Sequence, residues 1–352
     1  MRYALIGCSR IASNRIKAAK DNGLEIVAVS DVYPEKMPEF LKRHGLSSDN
    51  IKRYVDYKAM LEEVTPDLVS IATGSGVHAK IALDCIEKGI HTIIEKPMAM
   101  SIADADAIIT AARKKNVKVT VCHQNRFNPA VQKMRQALET GRFGKLSHGA
   151  VHVRWNRNKD YYSQASWRGT WSQDGGCLMN QCIHSIDILR WMMGSEIAIV
   201  YGQVRQQFHD YLETEDVGMA VVTFKNGAIA TIEGTTNVYP HNLEETLYLF
   251  GETGTAKLGG KSMSCIEVWN FADKGDVPLD EDNLLIQSGH SNLFHDIIEA
   301  INRDREPYIN AQAGKDALEL VLAIYKSSAE GKPVELPLFE CSTMDFSGLF
   351  GS

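Results

Sequence analysis

The chain has 352 residues, 44% hydrophobic and 23% charged, with a formal net charge of −6. That length is more than one small core fills and fits two domains. The mild acidity, without any Lys/Arg cluster, excludes nucleic acid or an anionic membrane as the main partner.

Seven cysteines, at 8, 85, 122, 177, 182, 265 and 341, show no C-x-x-C spacing. This suits reduced thiols better than a disulfide framework or a zinc site, and no metal is expected. No signal-peptide pattern precedes the first strand, and no apolar run is long enough to cross a bilayer. The expectation is a cytoplasmic protein.

In chain order, strands are predicted at Tyr3–Ile6, Glu25–Ser30, Leu68–Ala72, His91–Ile94 and Lys118–Cys122, with helices between them such as Ala79–Glu87 and Ala103–Lys115. Continuous apolar strands alternating with helices indicate a doubly wound parallel sheet covered on both faces. From Lys145 the strands lengthen and alternate, and "GMAVVTFKNGAIATIEGTT" turns at Asn226-Gly227 as a hairpin. Helices are expected at Leu178–Met193, Leu293–Asn302 and Ala313–Ser328, before a closing strand at Val334–Leu338. The fold class is α/β: a Rossmann domain over 1–122, then an α+β domain over 123–352 with a large open, mostly antiparallel sheet for substrate binding and oligomerisation.

The opening "ALIGCSRIAS" reads as strand, tight turn and helix, an imperfect G-x-G-x-x-G/A dinucleotide fingerprint. Gly7 permits the turn, Ser9 occupies the second glycine position, and Ala12 lets helix and strand approach. Amides around Ser9, Arg10 and Ile11 open the helix toward a pyrophosphate. Asp31 ends the second strand, where a carboxylate takes ribose hydroxyls and repels a 2′-phosphate, so the expected cofactor is NAD. The competing reading is an ordinary strand–helix turn. "ATGSGVHAK" places Thr73, Ser75 and His78 after a parallel strand, where they either line the ligand crevice or cap the next helix. Gln124, Asn125 and Arg126 in "CHQNRF" carry the same pair of readings.

In "DGGCLMNQCIHSIDILRWMMG", Asn180, His184, Asp187 and Trp191 fall on one helical stripe with apolar flanks. Either His184 is a satisfied core histidine, or Asn180 and His184 face a substrate. "RWNRNKDYYSQASWRGTW" gathers aromatic and cationic side chains, either as a packing loop or as a surface for a sugar bearing a carboxylate or diphosphate. "GIHTIIEKP" puts Lys96 at the end of a buried strand, an odd place for a charge without a task.

Together "GCSRIA", "EKP", "HQNRF", "DGGCLMNQCIH", "FGETGTAKL" and "SAEGKPVELP" resemble the Gfo/Idh/MocA family of NAD(P)-dependent sugar oxidoreductases, over nearly the whole chain. The resemblance implies that Lys96 is the catalytic acid/base, assisted by His184. It implies cofactor contacts at Gly7, Ser9, Arg10, Ile11, Asp31, Thr73, Ser75, His78, Glu95, Lys96, Gln124, Trp167 and Arg168. Substrate contacts are implied at Lys96, Asn125, Arg126, Arg154, Arg157, Tyr161, Tyr162, Asn180, Gln181 and His184. The usual family pattern D-x-x-x-H is Asn180-x-x-x-His184 here, similar to WlbA-type enzymes, which oxidise C3 of a UDP-sugar uronate. A free-sugar or inositol dehydrogenase and a non-catalytic NAD-binding sensor are the rival readings. The family is often dimeric or tetrameric, so a homo-oligomer through the second sheet is expected.

Overall fold

The computed structural model describes residues 1–46, 50–194, 196–273 and 289–351. They form two compact units, one of 1–124 with 289–315 and one of 125–273 with 316–351. Among the described residues no helix is long and apolar enough to cross a membrane.

In the first unit the strands are β1 (Arg2–Ile6), β2 (Glu25–Ser30), β3 (Lys52–Tyr54), β4 (Leu68–Ile71), β5 (His91–Ile94) and β6 (Val119–Val121). They pair in parallel in the order β3-β2-β1-β4-β5-β6. The helices between them are α1 (Ala12–Asp21), α2 (Lys36–Arg43), α3 (Tyr57–Val64), α4 (His78–Glu87) and α5 (Ile102–Lys115). The sheet is the Rossmann arrangement expected, with chain order reversing between β1 and β4. Edge strand β3 is an addition, because Lys52, Arg53 and Tyr54 carry no apolar alternation for a sequence reading to detect. Register aligns Ser30, Ile6, Ile71, Ile94 and Val121 in one row. The residues that follow each of them therefore share one carboxyl-end rim.

In the second unit α6 (Pro129–Glu139), β7 (Leu146–Arg154) and α7 (Lys159–Tyr162) precede a π-helical segment, Cys177–Cys182, which runs into α8 (Ile183–Met193). Then come β8 (Ile197–Arg205), β9 (Val217–Phe224), β10 (Ile229–Thr235), β11 (Glu244–Gly251), β12 (Gly254–Gly259) and β13 (Cys265–Phe271). After α9 (Gly289–Asn302) and α10 (Ala311–Glu330), the two-residue strand β14 (Val334–Glu335) completes a sheet ordered β13-β12-β11-β7-β10-β9-β8-β14. β7 and β10 pair in parallel and the other neighbours are antiparallel. The hairpin at Asn226-Gly227 joins β9 to β10, with Gly227 at φ +87°.

Two features depart from the sequence reading. The segment carrying α9 belongs to the first unit: Phe294 meets Tyr3 edge-on at 5.7 Å, and Asn22 Nδ2 donates to Ser291 O at 2.9 Å. An apolar stripe shows that a helix face is buried, not which sheet buries it. The helix expected over 178–193 also begins as a wide π-turn. That turn lies on Gly218 and Gly234, register partners on β9 and β10. A Cβ on Gly234 would lie 2.5 Å from Leu178 Cδ2 and 2.7 Å from Cys182 Sγ, and one on Gly218 would lie 2.7 Å from Leu178 Cδ1. Gly234→Ala should therefore overpack this seat and cost about 1–3 kcal/mol in urea unfolding. A stability equal to wild type would show that the turn is not held down on the sheet there.

Candidate active site

The rim of the first sheet begins with the turn after β1. Gly7 sits at φ +94°, and a Cβ there would lie 2.5 Å from Ala72 O, so both conformation and space require glycine. Ser9 Oγ donates to Ala72 O at 3.0 Å, tying the turn to the loop after β4. The serine in the second fingerprint position thus stitches two crevice loops together. Among the described residues the amides of Ser9, Arg10 and Ile11 have no protein acceptor, and Ser9 and Arg10 are exposed. These amides suit an anionic pyrophosphate. Asp31 Oδ2 accepts from Cys8 N at 2.8 Å and Oδ1 from Tyr33 N at 2.9 Å. Two of its roughly four acceptor positions stay open to a diol.

The next loops are less exposed than the sequence suggested. His78 is buried, with Nδ1 2.8 Å from Pro97 O and Nε2 3.2 Å from Thr73 O. Burial pushes its basicity down, so the ring is neutral and its one proton fits the shorter contact, to Pro97. Ser75 is buried, and Thr73 Oγ1 donates to Gly74 O at 3.3 Å. Glu95 is buried as well, and its Oε2 accepts from Lys96 N at 3.1 Å while Oε1 pairs with Arg15. Lys96, half-buried, thus stands between a clamped Glu95 and a Pro97 whose carbonyl is clipped by His78, and the Lys96–Pro97 peptide is cis. Gln124, also half-buried, begins a short 3₁₀ turn after β6.

The sequence reading missed Arg15 and His290. Arg15 is fully buried on α1, and its second nitrogen lies 2.7 Å from His290 Nδ1. Burial and the Arg15 charge push His290 down to about 3, so it is a neutral acceptor. Arg15 falls in the apolar stripe Ala12–Ile16–Ala19, and a charge in that stripe was the available signal.

In the second unit the four arginines singled out by sequence divide. Arg126 makes two bonds to Asp187, at 2.7 and 2.6 Å, both groups buried. Arg154 is held by Glu233 and Glu244. Arg157 and Arg168, both half-buried, have no carboxylate partner among the described residues. They lie over the Tyr161 ring, 5.1 and 4.1 Å from its centroid, and Arg168 also over Trp167 at 4.9 Å. Gln181 joins them: its Oε1 accepts from Arg157 Nε and its Nε2 donates to Tyr161 OH, each at 2.9 Å. Tyr162 turns the other way, into the core against His209 and Tyr211, and burial keeps its hydroxyl protonated. Asn180 and His184 are half-buried on the π-turn and α8, with Asn180 Nδ2 donating to the Asp174 carboxylate. Asn125, half-buried, lies on the same short turn as Arg126.

Arg15→Met would leave the Glu95 carboxylate buried without its cation and should cost about 3–5 kcal/mol, read by denaturant unfolding. The double variant with Glu95→Gln should recover most of that loss. If it recovers none, the pair is not the source of the effect.

Residues 1–123 match the family described as "Oxidoreductase family, NAD-binding Rossmann fold", and residues 131–257 match the "GFO/IDH/MocA C-terminal domain". Among solved structures, the WlbA dehydrogenase of Bordetella pertussis in complex with NADH and UDP-GlcNAcA is 34% identical at a TM-score of 0.86, covering 96% of this chain and 99% of that one. Among curated proteins, the D-apiose dehydrogenase of Paraburkholderia graminis is 27% identical over 96% of this chain and 90% of its own length. The myo-inositol 2-dehydrogenase of Thermotoga maritima is 24% identical over 96% and 98% respectively. With both domains matched, on a rim whose turn, amides and acid suit a dinucleotide, the chain belongs to the Gfo/Idh/MocA family and is an NAD-dependent oxidoreductase.

Proposed function

We propose that the protein is a sugar dehydrogenase that oxidises a ring carbon, C3, of a UDP-sugar uronate. The observation that carries this reading is the pair Arg157 and Arg168, half-buried cations on Tyr161 with no carboxylate among the described residues. Removing a guanidinium from water without a counter-charge is unfavourable, so the pair calls for an anion. A uronate carboxylate and a diphosphate are such anions, and a free cyclitol has none. The 34% identity to the WlbA dehydrogenase solved with UDP-GlcNAcA supports the same class.

When bound, NAD supplies the hydride acceptor. Lys96 Nζ takes the proton of the substrate hydroxyl as the hydride leaves the same carbon, and later returns it to solvent. His184 holds or relays that proton. Asn180, fixed through Asp174, orients the sugar. General-base assistance of this kind contributes roughly 10²–10⁴-fold.

The second sheet has an outer face with Ile199, Tyr201, Met219, Val221 and Ile229 exposed. A second copy of this chain is the proposed cover for it, and light scattering of the purified protein checks this. A monomer at micromolar concentration would refute it.

Three further results are expected. UDP-sugar uronates should raise the melting temperature in the presence of NAD, and Arg157→Gln or Arg168→Gln should reduce that protection. Protection by inositol or glucose, and none by UDP-sugars, would move the assignment to a free-sugar or cyclitol dehydrogenase. Lys96→Met should fold and bind NAD but lose roughly 10²–10⁴-fold in kcat and kcat/KM together. A near-native rate would take the lysine out of the mechanism. NAD should bind more tightly than NADP by calorimetry, because Asp31 would repel a 2′-phosphate. The reverse order would show that Asp31 does not face the ribose.

A further inference from the structure

Beneath the π-turn lies a carboxyl group that the reaction does not use. Glu215, just before β9, is fully buried. Its Oε1 accepts from Leu178 N at 2.7 Å and lies 2.7 Å from the hydroxyl of Tyr325 on α10. That hydroxyl is also 2.6 Å from Gly175 O and 3.3 Å from Met179 N, which donates to it. Glu215 Oε2 has no partner among the described residues and is pressed against Gly176, where a methyl group would collide with it.

The protons can be counted. Two oxygen–oxygen contacts at 2.6 and 2.7 Å each need a hydrogen between them, and Tyr325 supplies only one. If Glu215 were a carboxylate, either Gly175 O or Glu215 Oε1 would face a lone pair at close range. If Glu215 carries the second proton, every contact is satisfied: Tyr325 donates to Gly175 O and accepts from Glu215 and from Met179 N. No cation among the described residues pairs with the group. The titratable groups around it are Asp174 in the preceding loop, Cys177 on the π-turn, with Cys182 behind it, Tyr325 on α10 and its own neighbour Asp216. Asp216 is committed elsewhere, to His209 and the amides of Gln207 and Phe208.

We infer that Glu215 is a positioning residue, held as a neutral carboxylic acid that latches the first turn of the π-helix through Tyr325 and the Leu178 amide and thereby sets Asn180 and His184 for the reaction. Its effect on turnover rests on the function proposed above; the latch itself does not. Burial and then the nearby Asp174 charge push the Glu215 carboxyl up to about 8, so the latch opens just above neutrality. On ionisation the Tyr325 proton must turn to the carboxylate, and Gly175 O loses its donor at the entry to the helix.

The folded value lies above the ordinary 4.5, so the contribution to stability is complete below about 4.5 and is lost as pH rises to about 8. Glu215→Gln keeps the shape and a donor but cannot ionise. The melting temperature of the wild type should therefore fall relative to that of Glu215→Gln between about pH 4.5 and about pH 8. Exchange of the Leu178 and Met179 amides, corrected for its intrinsic rate, should step up near pH 8 in the wild type and not in the variant. With substrate, kcat/KM should show an alkaline limb near pH 8 that the variant lacks, while the two agree within about threefold at lower pH.

Parallel melting curves would overturn the protonated acid. Diverging curves with an unchanged alkaline limb in the variant would overturn the positioning role. If Glu215→Gln does not fold, the exchange step in the wild type decides, and its absence refutes the latch. If no sugar is turned over by the wild type, the proposed function fails, and the melting and exchange measurements still test the latch.

Discussion

A guanidinium fully withdrawn from water needs a counter-charge beside it, and the way Arg15 finds one shapes the carboxyl-end edge of the first sheet. Its partners are the Glu95 carboxylate and the neutral ring of His290. Glu95 is the residue before Lys96, and its second oxygen accepts from the Lys96 amide. The need to neutralise one buried charge on α1 therefore fixes the backbone path at the end of β5. His78 does the same from α4 by donating to Pro97 O. Such a buried pair adds little net stability compared with well-packed apolar groups, but breaking it is costly, so it specifies one trace of the chain. The acid of E-K-P is thus largely committed to the protein itself.

The second unit uses buried carboxyls for the same end. Asp187, at full burial, takes Arg126 and anchors the middle of α8. Asp174 accepts from Gly169 N at 2.7 Å and from Asn180, joining the aromatic loop to the π-turn. Once these carboxylates and Glu233 and Glu244 are assigned to their partners, the remaining guanidinium charge of the segment rests on Arg157 and Arg168, beside the exposed Lys159 over the Tyr211 ring. A cation already paired with a buried acid has little left to offer a ligand, and the proposed anion site therefore falls to the guanidinium groups unpaired among the described residues.

The strands legible in the sequence were those buried on both faces, such as Leu68–Ile71, because an apolar run bounded by turns has no other comfortable place. β3 was illegible, since its pairing with β2 depends on backbone groups rather than on Lys52 and Arg53. The return of α9 to the first unit was illegible for a different reason: amphipathicity carries no address. At the rim, Gly7 was readable because the turn after β1 demands a positive φ, and Asp31 stood out because it ends a strand at a known offset from that turn. Tyr161 and Tyr162 were not separable, yet one lies among arginines and the other in the core. Arg154 looked as available as Arg157, because its acids are distant in sequence, at 233 and 244.

The stripe Asn180–His184–Asp187–Trp191 shows how much one turn of backbone can matter. In an unbroken α-helix these four side chains would share a face and, by position, a role. The π-turn over Cys177–Cys182 has a wider repeat, so Asn180 is rotated away from the line that the rest of the helix continues. Asn180 then reaches back to Asp174, while Asp187 and the Trp191 ring meet the Arg126 guanidinium. A wide turn is an uncommon conformation and persists only where its surroundings hold it. Here the holding groups are the glycine floor of β9 and β10 below and the Glu215–Tyr325 pair at its first turn. None of them is adjacent to the helix in sequence. The local sequence therefore specifies a helix, and the sheet and the buried acid beneath it determine which kind.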